Sequence, residues 1–187
     1  LSGISHDLRT PLTRLKLQLA MISEKELSNN MPKDIDEMEK MLNDYLHFAK
    51  TQSLESTKEV NLAKIFNEIK KDINNNNLEI LITDDVNLKA RPISLKRSFE
   101  NIIMNGLTYG KKVFVNIEKG SNRALIIFED DGPGIPEDQY KNVFKPFFRL
   151  DKSRSLNKSG VGLGLAIVED VINSHGGSIH LGKSKYK

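Results

Sequence analysis

Two apolar stripes of nearly equal length constrain the first 54 residues. Leu8, Leu12, Leu15, Leu19 and Ile22 follow at intervals of four, three, four and three, and Ile35, Met38, Leu42, Tyr45 and Ala49 at three, four, three and four. Each stripe is a helical seam in the heptad pattern. Between them Ser28, Asn29 and Asn30 break the periodicity, and Pro32 suits the first turn of a second helix. Gly3 is the only glycine in this part, and no strand-like alternation interrupts it. Two antiparallel helices with one stripe each bury those stripes poorly alone, so a homodimeric four-helix bundle completes them. A plain hairpin packed on the rest of the chain is the alternative.

After a polar stretch from Gln52 to Glu59, read as a linker, the pattern turns to mixed helix and strand. Asn61 is placed to cap a helix running to about Asn74, and the asparagines from Asn74 to Asn77 form a loop. Leu78 to Thr83 and Val86 to Ala90 read as short strands, and Pro92 to Thr108 as a helix with Leu95, Phe99, Ile102 and Ile103 on its apolar face. Lys112 to Glu118 and Ala124 to Glu129 alternate as a hairpin through Gly120, Ser121 and Asn122. Leu163 to Ser174 reads as a helix and Ser178 to Leu181 as a final strand. The expected fold is α+β: a helical hairpin over residues 1–55, then an α/β sandwich over residues 56–187 with helices on one face of a mixed sheet.

Composition narrows the function. Hydrophobic residues make up 38% of the 187 and charged residues 28%, the balance of a soluble globular chain. A net charge of +3, without a dense Lys/Arg block and interleaved aromatics, gives no reason to expect nucleic acid. The absence of cysteine excludes disulfide frameworks and thiolate metal sites. No apolar run approaches the roughly 18 residues of a membrane span, so no membrane contact is expected of this segment. Opening on Leu1 inside a helical pattern, the chain reads as a fragment.

Chemistry concentrates in five stretches. In the first, Ser5 to Leu12, His6 and Thr10 share a helical face while Leu8 and Leu12 point into the seam. Pro11 bends the helix just after the histidine. A neutral imidazole is a nucleophile, and Asp7 beside it can fix the tautomer and take the released proton; singly, these residues also read as surface His, solvated Asp and proline kink. In the second, Asn101 and Asn105 lie four apart and offer neutral oxygens suited to Mg²⁺ bridging to phosphate, or a solvated polar stripe. The third, Asp131-Gly132-Pro133-Gly134-Ile135, ends a strand with a carboxylate that can accept a hydrogen bond from an adenine amine; standing alone it is also a simple turn.

The fourth, Phe144 to Arg149, is rich in aromatics for a chain with only 6% of them, and part of it must be core. The fifth, Gly160-Val161-Gly162-Leu163-Gly164, runs straight into a helix, where backbone N–H groups and the positive dipole end cradle phosphate. It follows no strand in the manner of a dinucleotide-binding fingerprint. Between these two, Leu150 to Ser159 has the Lys, Arg and Ser content of a lid over a polyphosphate.

In order and spacing the five stretches resemble the H, N, D (or G1), F and G2 boxes of HisKA-type sensor histidine kinases of two-component systems, whose ATP domain has the Bergerat fold. The likeness covers essentially the whole chain. The runs SHDLRTPLTRLKL, EDDGPGIPE and SGVGLGLAIVEDVINSHGG are most similar to the EnvZ-type osmosensor subfamily. The resemblance implies ATP and Mg²⁺ as cofactors, a homodimer, a response regulator receiver domain as partner, and the cytoplasmic part of a bacterial inner-membrane sensor. It implies that His6 is the phosphoacceptor, Asp7 its acidic assistant, and Thr10 the residue that orients water for dephosphorylating the regulator. Asn101 and Asn105 would hold Mg²⁺, and Tyr109 would pack on the nucleotide. Asp131 would bind the adenine amine, with Gly132 and Gly134 shaping that wall. Phe144 and Phe147 would anchor the lid, and Gly160, Gly162, Leu163 and Gly164 would close on the phosphates.

The sequence departs from that pattern in places. Thr108 stands where many relatives carry Lys or Arg, which shifts a phosphate contact to Lys152, Arg154 or Lys158. Gly106 replaces the usual alanine, and the chain stops at Lys187, before the last strand such domains carry. Two rival classes share parts of the pattern. Bergerat ATPases of the chaperone, mismatch-repair or topoisomerase kind have no use for an exposed His before a proline kink. A decayed, non-enzymatic scaffold would have lost Asn105, Asp131 or the glycines.

Overall fold

The structure, a computed structural model, describes Leu15, Ile35, Asp36, Glu39 and residues 55–121, 123–150 and 162–186. The chain divides into two compact units, Leu1–Leu54 and Glu55–Lys187. In the first, Leu15, Ile35, Asp36 and Glu39 are helical, with Ile35 buried and Leu15 44% exposed in the single chain. The rest of the expected hairpin, with His6, Asp7 and Thr10, lies outside the described residues.

The second unit runs β1 (Lys58–Asn61), α1 (Leu62–Ile73), β2 (Leu78–Ile82), β3 (Asn87–Ala90), α2 (Pro92–Tyr109), β4 (Val113–Lys119), β5 (Ala124–Asp130), a 3₁₀ turn (Glu137–Gln139) and α3 (Gly164–Ser174). β2, β4 and β5 form a mixed sheet in that order, with β2 parallel and β5 antiparallel to β4. β1 and β3 pair separately, antiparallel.

Asn61 starts α1 as the sequence implies: its Oδ1 accepts the Lys64 N–H at 3.0 Å. Its Nδ2 also donates to Asn87 Oδ1 at 2.9 Å, which ties the helix start to β3. Asn74 ends α1 in a left-handed conformation, φ 45°, with its N–H on the Lys70 carbonyl. The core lies between α1, α2 and one face of the sheet. Leu62, Ile65, Phe66 and Ile69 of α1 and Leu95, Phe99 and Ile103 of α2 recur at helical spacing; Val113, Val115 and Ile117 alternate along β4. The Phe66 and Phe99 rings stack at 4.8 Å, and Phe128 of β5 tilts against both. Fully burying side chains of this size contributes about 1.5–3 kcal/mol each. Helices on one face of a mixed sheet is thus the arrangement found.

Two elements differ from expectation. Lys58–Asn61, inside or next to the stretch read as linker, is a strand, formed by main-chain pairing with β3 and not by apolar content. Ser178 to Leu181 is irregular. Only Ile179 and Leu181 are apolar there, between glycine and polar residues. The residues beyond Leu181 are tied to the sheet through side chains: the Tyr186 ring stacks on Phe114 at 3.8 Å, and the Lys185 N–H donates to Glu129 Oε1 at 3.0 Å.

Candidate functional site

α3 runs back along α2. At its start, a Cβ built on Gly164 would stand 3.8 Å from Asn105 Nδ2 and 3.9 Å from Asn101 Cγ, so the asparagine pair faces the first turn of α3. No side chain caps that turn, and the N–H groups of a helix start are unpaired within the helix. At the other end His175 Nε2 accepts the Arg91 N–H at 2.9 Å, while Nδ1 lies 2.7 Å from the Val171 carbonyl. Nε2 is thus the acceptor in this contact, and the tautomer that fits both contacts carries its N–H at Nδ1. Sequence reading gave His175 no role.

The end of β5 carries two carboxylates with different surroundings. Asp130 pairs across the ladder with Val113, and cross-strand partners share a face. Val113 is in the core, so Asp130 is on the helix side of the sheet. Its Cβ stands 3.5 Å from the point where a Cβ on Gly106 would be, next to Asn105 in α2. Its Oδ1 accepts the Gly132 N–H at 2.8 Å. Asp131, the residue expected at the adenine, instead uses Oδ1 to accept the Lys111 and Lys112 N–H groups at 2.6 and 2.8 Å. Those Lys112 and Lys111 amides hold its carboxyl below its usual value. Asp131 thus braces the turn between α2 and β4. Alternation from Phe128, which packs in the core, is the signal that singles out Asp130.

Gly132 lies against Asp130 and the Tyr109–Gly110 backbone, and Gly134 follows in a left-handed conformation, φ 74°. Tyr109 is the half-exposed last residue of α2. Thr108 spends its hydroxyl on the Met104 carbonyl at 2.6 Å.

The F and G2 stretches meet through their backbones. The Phe147 N–H donates to the Gly162 carbonyl at 2.9 Å. Gly162 has φ 76°, and a Cβ there would fall 2.8 Å from the Phe148 carbonyl oxygen, so only glycine fits. Phe147 is itself left-handed at φ 64°, and its ring is 58% exposed. The main chain, more than the ring, fixes this corner; Phe144 is half-buried. Leu163 is buried. Lys152, Arg154, Lys158 and Gly160 lie outside the described residues.

Neutral amides beside an uncapped helix start, with a carboxylate on the adjoining sheet end, suit a nucleotide polyphosphate with a hard divalent cation. Among the described residues no group of three His, Cys, Asp or Glu forms a separate metal cluster. These residues belong to a two-layer α/β domain, with helices over one face of a mixed sheet. Residues 90–187 match the family of histidine kinase-, DNA gyrase B- and HSP90-like ATPases, and residues 1–54 match the His Kinase A (phospho-acceptor) domain. The chain belongs to the sensor histidine kinases.

It is 32% identical over 182 residues to the sensor histidine kinase GtrS of Pseudomonas aeruginosa, covering 96% of this chain and 38% of that one. It is 32% identical over 192 residues to the sensor histidine kinase CpxA of Escherichia coli, covering 95% and 42%. The chain therefore spans about two fifths of these relatives. The histidine kinase domain of the E. coli osmosensor EnvZ is similar at 32% identity and a TM-score of 0.53, over 69% of this chain and 81% of that one. Full-length ShkA, solved in complex with AMPPNP, shares the fold at a TM-score of 0.69 and 21% identity, over 98% of this chain and 42% of that one. Among the described residues no helix is long and apolar enough to cross a membrane.

Proposed function

We propose that this chain is the cytoplasmic catalytic core of a membrane sensor that transfers the γ-phosphoryl group of ATP to its own His6 and then to an aspartate on a response regulator receiver domain. Residues 1–55 serve as the dimerisation and phosphotransfer hairpin, and residues 56–187 as the ATP-binding domain. The observation that carries this reading is the meeting of Asn101 and Asn105 with the uncapped start of α3, in a chain that matches both a phospho-acceptor and an ATPase domain.

The unprotonated imidazole nitrogen of His6 attacks the γ-phosphorus, the bond to the β,γ-bridging oxygen breaks, and ADP departs. Asp7 takes the proton that the imidazole sheds. Asn101 and Asn105 hold Mg²⁺, which when bound offsets phosphate charge. Asp130 accepts the adenine amine in place of Asp131, because it is the carboxylate on the α2 side of the sheet. Tyr109, Gly132 and Gly134 border the base, and Lys152, Arg154 or Lys158 supply the cation that Thr108 does not. Leu15, a seam residue 44% exposed in the single chain, is surface that a second copy covers. Thr10 serves the phosphatase reaction on the regulator.

Incubation with γ-labelled ATP tests the proposal. Acid-labile phosphate on the unmodified chain, and none on His6→Gln that still binds ATP, is the expected result. Label retained in His6→Gln places the acceptor elsewhere.

A further inference from the structure

α2, the helix bearing both asparagines, has no cap of its own. Its N-cap residue is Arg91, whose side chain makes no capping bond, and Pro92 follows it. The unpaired amides are met from outside: Glu55 Oε1 accepts the Ile93 N–H at 2.5 Å, and Oε2 accepts the Ser94 N–H at 2.9 Å and the Ser94 hydroxyl at 2.6 Å. A carboxylate there is also favoured by the helix dipole. Burial opposes ionisation of Glu55, but the Ser94 hydroxyl, the Ile93 and Ser94 amides and the Arg91 charge outweigh it and hold the carboxyl below its usual value.

The same end of α2 is tied to α3, through His175 on the Arg91 N–H and the Arg91 guanidinium on Ser174 Oγ. Asn101 lies about two turns beyond Ser94 along α2. Glu55 is the residue with which the second unit begins, three before β1. The segment arriving from residues 1–54 is therefore fastened, at its first residue in this unit, to the helix that carries the asparagine pair.

We propose that Glu55 is a positioning residue that couples this incoming segment to α2, so that the placement of the segment governs phosphoryl transfer to His6. The inference rests on the kinase reading above. A carboxylate held by two amides and a hydroxyl delivers a displacement of the segment to a stiff helix as a whole, and so to Asn101 and Asn105. Nucleotide binding needs only that α2 be capped; transfer needs that the cap belong to the segment.

An aspartate at the N-cap bonds the N2 or N3 amides of its own helix, the groups Glu55 now holds. The full chain is compared as wild type, Glu55→Ala, and Glu55→Ala with Arg91→Asp, measuring Mg-ATP affinity by calorimetry and the rate of acid-labile labelling at saturating ATP. Glu55→Ala is expected to weaken ATP by up to about tenfold, the range of a lost cap, and to slow labelling. The double variant is expected to bind ATP within about twofold of wild type yet to label at least about tenfold more slowly, because its cap is local. Recovery of both quantities reduces Glu55 to a helix cap and overturns the coupling; so does wild-type behaviour of Glu55→Ala. If Glu55→Ala does not fold, Glu55→Gln replaces it, with slowed labelling again required. Wild-type chain that binds ATP but takes no label overturns the kinase reading instead, which separates the two failures.

Discussion

Asp130 and Asp131 are neighbours in the chain but bind different parts of the fold: Asp130 Oδ1 accepts the Gly132 N–H at 2.8 Å beside α2, and Asp131 Oδ1 accepts the Lys111 and Lys112 N–H groups at the α2–β4 turn. The pair therefore makes a clean test of which carboxylate meets the base. Asp130→Asn is expected to weaken ATP binding by about one to two decades, the size of a lost charge-assisted hydrogen bond. Asp131→Asn keeps an acceptor for the two amides and should change affinity by less than about threefold. GTP, with a carbonyl where adenine has an amine, should bind poorly to wild type. Calorimetry on both variants decides, and the reverse ranking would return the adenine to Asp131.

Gly106 lies in the last turn of α2, buried against β4. In an ordinary helix interior Gly→Ala stabilises by about 1 kcal/mol. Here the new Cβ would fall 2.6 Å from Val113 Cγ2 in the core, and overpacking costs about 1–3 kcal/mol. Gly106→Ala is expected to lower the stability of the ATP domain, and adding Val113→Ala should cost less than the separate effects sum to. Thermal unfolding of the single and double variants measures this; a stabilised Gly106→Ala would mean the contact relaxes freely.

Thr10 and His6 are one helical turn apart by sequence, and a threonine hydroxyl both donates and accepts. Thr10→Ala should leave autophosphorylation within a few fold of wild type and strongly depress dephosphorylation of the regulator. If Thr10 only eases the bend before Pro11, both rates on the same preparation move together or not at all.

Glu55 gives the domain an acid sensitivity of known sign. Its carboxyl is held below its usual value in the folded state, so its stabilisation is fully present above the unfolded glutamate value of about 4.3 and fades as pH falls toward the folded value. The melting temperature of wild type should exceed that of Glu55→Gln near neutrality, and the gap should begin to narrow as pH falls below about 4.3 and close only below the lowered folded value. A gap that does not change with pH would show that the charge of Glu55 contributes nothing.

Periodicity made most of the architecture legible. The Asn61 cap, the apolar face of α2 and the β4–β5 hairpin are local patterns that tertiary packing did not overrule. β1 was hidden because Lys58, Glu59 and Asn61 are polar, and its strand character comes from β3, a partner distant in sequence. Motif order located Asn101, Asn105 and Gly164, which the fold does bring together. It could not separate Asp130 from Asp131, since a one-residue offset keeps the motif and changes the face. Glu55 and His175 escaped for another reason: each completes the start of α2 from far along the chain, and no spacing rule links residues 55, 91 and 175.

The Phe147–Gly162 hydrogen bond joins two points that lie fifteen residues apart in the sequence. A loop fastened at its neck can change length without disturbing what lies below, because each doubling of its length costs only about 0.6 kcal/mol of closure entropy. The length of chain joining these two positions can therefore vary while α2, α3 and the end of β5 keep their places. Segments of different length should therefore be exchangeable here, provided the graft is cut at Phe147 and Gly162.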